Sequence, residues 1–135
     1  MNEAEGGPVS VVGVSMGGIL ARNLAHDYPD KMRRLVSIVS PTRFPTASHA
    51  EPVVRALRPF YSTSVDTSRY SNDVALPSLA VHSRDDGLIA WESCVGHGAE
   101  TQSVEVEGSH VAICRNPDVL RAVASFLAPS EGVIK

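Results

Sequence analysis

Residues 9–28 read VSVVGVSMGGILARNLAHDY, and no other stretch so narrows what the chain can fold into. Val9–Val14 is β-branched and almost free of polar interruption, which predicts a strand covered on both faces. It runs into Gly13-Val14-Ser15-Met16-Gly17, a G-x-S-x-G pattern. That pattern carries mechanical meaning when the serine occupies a sharp turn between a buried strand and a helix, where flanking glycines let neighbouring backbone approach without a Cβ clash. A helix over 17–27 follows, rich in good helix formers and stopped by Pro29. Strand, turn and helix therefore come in the required order. The plainer alternative is a solvated serine in a glycine-rich turn.

Further apolar runs bounded by Gly, Pro and Ser recur along the chain. They predict strands over 35–39 (LVSIV), over Ser78–His82 after Pro77, and over 103–106. A short helix is expected near Trp91. The last helix opens with Asn116 as N-cap, Pro117 at the first helical position and Asp118 in the first turn, and Leu120, Val123, Ala124 and Leu127 fall on one face. The fold class is thus α/β, a mostly parallel sheet of about four strands with flanking helices. A chain of 135 residues, 43% hydrophobic and 20% charged, predicts one domain over 1–135 with a real core. Residues 41–76 read as an irregular or partly helical insertion, with a short helix over 52–57 and the only linker candidate over 62–73.

Several function classes fall away on charge and hydropathy. A net charge of -3 without a Lys/Arg run gives no footprint for nucleic acid. No apolar run approaches about 20 residues, so no membrane span is expected. The amino terminus lacks a basic region followed by an apolar one, which makes a cytoplasmic setting the default expectation. Cys94 and Cys114 are too few for a disulfide framework and read as reduced thiols.

A serine hydroxyl is a poor nucleophile at neutral pH, so Ser15 needs a base and an acid to orient that base. Of five histidines, His110 in EGSH follows the fourth strand, where Gly108 permits a tight turn. His26 suits a helix C-terminus, His82 lies in a strand, and His49 and His97 fall in loops or short helix. Asp85 and Asp86 both follow the third strand, and adjacent residues do not normally both face one imidazole. The Met16 backbone N–H, at a helix N-terminus, is a candidate oxyanion donor.

On these motifs the chain resembles the α/β-hydrolase superfamily, particularly lipase- and esterase-like serine hydrolases, from the nucleophile elbow onward. The resemblance extends through YPDKMRRLVSIVSP, LPSLAVHSRDDGLIAWESC and VEVEGSHVAICRNPDVL. It implies a truncated α/β-hydrolase fold that cleaves small-molecule carboxylic esters through an acyl-enzyme, without a cofactor. It also implies the chain order Ser, acid, His, and it favours Asp86, before Gly87, as the acid of a Ser15–His110–Asp86 triad. The family takes its second oxyanion donor from a loop upstream of the elbow, and only fourteen residues precede Ser15 here. The strands that precede the elbow in the family have no counterpart in this sequence, so Val9–Val14 is expected to be an edge strand able to form a homodimer.

Two other readings compete. The missing upstream elements are also what a catalytically weak hydrolase fragment or a binding module would show. Cys94-x2-His97-x12-His110-x3-Cys114 has spacings close to a small structural zinc site, although a metal there would take His110 from Ser15.

Overall fold

The computed structural model describes residues 6–42 and 72–129. The expected helix over 52–57 and nearly all of the 62–73 stretch lie outside them. Four strands, β1 (Val9–Val14), β2 (Met32–Ile38), β3 (Ser78–His82) and β4 (Thr101–Glu105), form one sheet in the order β1-β2-β3-β4. Every pairing is parallel. Helix α1 (Met16–Asp27) returns the chain from β1 towards β2, and α2 (Pro117–Leu127) follows β4. Short 3-10 turns occupy Pro29–Lys31, Trp91–Cys94 and Ala112–Arg115. Because the strands are parallel, all their carboxyl ends meet along one edge of the sheet, and the loops after β1, β2, β3 and β4 gather there.

Each face of the sheet has its own apolar layer. On one side Ala21 and Ala25 of α1 pack with Met32, Leu35, Val74 and Leu76, and Val11 joins them half-buried. On the other, Val36, Ile38, Leu79, Val81, Val106, Ile113 and Val119 form a cluster that Val123, Phe126 and Leu127 of α2 complete. Every residue of β3 is buried. Full burial of a Val, Leu or Ile side chain stabilises by about 1.5–3 kcal/mol, so the two central strands carry much of the cohesion.

β1 departs from the expectation of a strand covered on both faces. Val9, Val12 and Val14 are 43%, 44% and 38% exposed. Among the described residues β1 pairs only with β2, and α1 covers only its Val11 face. β2 begins at Met32 instead of 35, because the parallel ladder pairs Met32 with Val9 and Arg34 with Ser10, skipping Arg33 at a register shift, and the two arginine charges hide the strand in the sequence. Arg34 has a packing reason to be there: its guanidinium donates to the Phe126 and Ala128 carbonyls and closes the C-terminus of α2. β4 starts earlier and ends one residue earlier than expected, with Val106 just beyond it bonding through its N–H to the His82 carbonyl at 2.9 Å.

The last helix starts as the sequence predicts, the Asn116 side chain accepting from the Asp118 N–H at 2.8 Å. Its inward face is different. Leu120 is exposed and the core contacts come from Val119, Val123, Phe126 and Leu127, an i, i+4, i+7, i+8 stripe. No helix of the described residues is long and apolar enough to cross a membrane.

Candidate active site

The turn between β1 and α1 is built by close backbone approach. A Cβ on Gly13 would run into the Gly17 carbonyl, and one on Gly18 would run into the Ser40 hydroxyl. A Cβ on Gly17 would meet nothing within 4 Å, so the crowded pair is Gly13 and Gly18 and the motif's second glycine is not sterically required. Ser15 adopts φ 52° and ψ −120°, and its N–H bonds to the Ile38 carbonyl at 2.8 Å, which pins the turn to the end of β2. Met16 is the first residue of α1, where backbone N–H groups have no acceptor within the helix.

The loops after β3 and β4 bring two further side chains to the same edge. His110 Nε2 lies 3.0 Å from Ser15 Oγ and His110 Nδ1 lies 2.7 Å from Asp86 Oδ2. The Asp86 side chain is almost fully buried and the imidazole nearly so. Asp86 Oδ1 accepts the Leu88 and Ile89 N–H groups at 2.9 and 2.7 Å, leaving Oδ2 for the imidazole. The His110 N–H donates to the Asp86 carbonyl at 3.1 Å, a second link between the two loops. Asp85 is exposed. A carboxylate facing Nδ1 favours a proton there, which turns the Nε2 lone pair toward the serine hydroxyl. The arrangement can therefore take a proton from Oγ at Nε2 and hold the imidazolium that results.

The two amides that anchor Asp86 were not legible from residue types, since any residue donates a backbone N–H. Gly87, at φ 72°, is the one sequence signal for the loop's reversal toward Asp86.

The neighbouring groups are structural in character. His82 stacks on Trp91 with centroids 5.8 Å apart, Arg84 lies 4.4 Å over the Trp91 ring, and Arg84 Nε bonds Glu105 at 3.0 Å. Burial pushes the His82 imidazole below its ordinary value, with Glu105 pulling it back up. Burial pushes the Cys94 thiol up to about 12, which makes it inert. Among the described residues no group of three His, Cys, Asp or Glu side chains is arranged to hold a metal ion, so the Cys94, His97, His110, Cys114 spacing does not close into a zinc site. Cys94 is buried, Cys114 is exposed, and His110 faces Ser15. His26 lies in the last turn of α1 and His97 between the Trp91–Cys94 turn and β4, while His49 is outside the described residues. A groove of about 550 Å³ runs beneath α2, lined by Arg34, Leu79, Gln102, Val104 and Phe126, and contains none of the three site side chains.

Comparison with known proteins adds a family. A family model described as the alpha/beta hydrolase fold matches residues 2–76. Thirty residues are 57% identical to a poly(3-hydroxyalkanoate) depolymerase from Ectopseudomonas oleovorans, covering 22% of this chain and 11% of that protein. A hydrolase from Pseudomonas aeruginosa PA01 matches in structure over 93% of this chain and 66% of its own, with a TM-score of 0.62 and 18% identity. A meta-cleavage product hydrolase from Pseudomonas fluorescens IP01 matches over 90% and 65%, with a TM-score of 0.61 and 15% identity. At these identities the likeness shows the fold, and the chain spans just under two thirds of either structure.

Proposed function

The chain belongs to the alpha/beta hydrolase fold family, and on that premise we propose that it is a serine hydrolase cleaving small-molecule carboxylic esters through an acyl-enzyme on Ser15. The observation that carries this reading is the chain of contacts from Ser15 Oγ through His110 to Asp86, made by residues from three separate loops. In the first half-reaction Oγ attacks the ester carbonyl while Nε2 takes the hydroxyl proton. The imidazolium then passes that proton to the departing alcohol. In the second half, water attacks the acyl-enzyme with His110 again as base. Asp86 holds the ring in the required tautomer. The Met16 N–H, at the first position of α1, donates in this reading to the developing oxyanion, an interaction worth about 3 kcal/mol per donor in acyl transfer. The depolymerase relative makes 3-hydroxyalkanoate units a class of ester to assay beside short p-nitrophenyl esters.

Labelling with a fluorophosphonate probe and turnover of short p-nitrophenyl esters test the reading. The parent chain is expected to label and turn over, and Ser15→Ala to do neither while remaining folded by circular dichroism. A folded parent that neither labels nor turns over overturns it. That outcome favours the second reading, a hydrolase piece with little activity of its own or a binding module, for which the partial coverage of the structural relatives speaks.

A further inference from the structure

We propose that Ser83 is a positioning residue for this site, its hydroxyl latching the loop that carries Asp86 to the loop that carries His110. The inference rests on the reading of Ser15, His110 and Asp86 given above. Ser83 follows β3 directly and is 1% exposed. Its Oγ accepts the Asp85 N–H at 3.1 Å and donates to the Gly108 carbonyl at 2.7 Å, 25 residues away. One hydroxyl thus serves both loops, and its proton must point to Gly108, because the Gly108 carbonyl can only accept and the Asp85 N–H can only donate.

What it holds is a residue that cannot hold itself. Gly108 has φ 139°, a backbone region that L side chains rarely adopt, and it has no side chain to pack. It stands two residues before His110, so rotation of its peptide would swing the imidazole. Asp86 is differently secured, because the Leu88 and Ile89 N–H groups hold its Oδ1 whether or not Ser83 is present. Loss of the Ser83 hydroxyl should therefore leave the carboxylate in place and loosen the ring that faces it.

Ser83→Ala nearly preserves volume, and Ser83→Thr keeps the hydroxyl. In the alanine variant the rate of fluorophosphonate labelling at Ser15 is expected to fall about tenfold, since small misplacements of a reacting group carry penalties of that order. Ester turnover should lose kcat with KM little changed, and Ser83→Thr should recover rate. Imidazole nitrogen chemical shifts should show His110 held with its proton on Nδ1 in the parent and divided between tautomers in Ser83→Ala. A serine with only a structural role would lower the melting temperature and leave labelling rate and nitrogen shifts as in the parent, and that result overturns the latch. If the parent itself fails to label, the nucleophile reading fails, and the nitrogen shifts of parent and Ser83→Ala alone decide the latch: a change supports it and identity overturns it.

Discussion

At Ser15 and at Val39 the backbone is left-handed, with φ of 52° and 42° in residues that carry a Cβ. Such conformations cost about 1–3 kcal/mol each and persist where their surroundings over-determine them. Here each residue hangs from the neighbouring strand, Ser15 N–H on the Ile38 carbonyl and Val39 N–H on the Val81 carbonyl, both at 2.8 Å. The glycines around Ser15 divide by what surrounds them, and that gives a sharp contrast. Gly13→Ala is expected to destabilise by at least about 3 kcal/mol, because the new methyl meets the Gly17 backbone and neither can move without breaking the turn. Gly17→Ala has open space in a helical position and should stabilise by up to about 1 kcal/mol. Urea unfolding of the two variants checks both signs, and equal effects would refute this account of the turn. Ser15 was legible in the sequence because its glycines advertise a tight turn. Ser83 was not, since a serine after a strand reads as ordinary loop material until the carbonyl it bonds is known.

Helix α2 shows how far periodicity reaches at the level of an element. Its start was legible to the residue, because Asn116, Pro117 and Asp118 each have a specific job at a helix N-terminus. Its orientation was not. Leu120 and Val119 are both apolar, and the choice between them depends on where the helix lands on the sheet. Val119 meets the cluster of Ile38, Val81 and Ile113, while Leu120 points to solvent. Val119→Ala is therefore expected to cost about 2 kcal/mol of stability and Leu120→Ala no more than about 0.5 kcal/mol, although leucine is the larger residue. Chemical denaturation of both variants decides, and a larger loss at Leu120 would mean that the helix packs by the other face. β2 makes the complementary point: Arg33 and Arg34 masked the start of the strand, because a charged residue such as Arg34, paired in the ladder and bonded to the Phe126 carbonyl, looks in sequence like a loop.

At the scale of the whole molecule, the sheet is parallel in the order β1-β2-β3-β4, and its class was legible because apolar runs recur in the sequence with helix-like stretches between them. The two edges of the sheet differ. β4 presents Thr101, Gln102, Ser103 and Glu105 around a single Val104, polar residues that discourage pairing, whereas β1 presents four valines with one serine and one glycine. The closure expected of the β1 edge is pairing with a second copy of the chain. Light scattering after gel filtration is expected to give a dimer for the parent and a single folded chain for Val12→Lys, which places a charge on the exposed edge. A parent that runs as a single chain at micromolar concentration overturns the pairing.

Ser15 and His110 stand 95 residues apart in the chain and 3.0 Å apart at the site. Closing so long a loop is an entropic cost met only after the local elements have formed, so contacts of this separation come late in folding. The hydroxyl is therefore made 95 residues before the ring it faces. On the proposed reading, a half-folded chain carries Ser15 without its base, and chemistry there waits on the docking of β4. The proposed nucleophile is in this sense timed by topology: its reactivity toward a probe during refolding is expected to be a clock for β4, trailing the helical signal of α1.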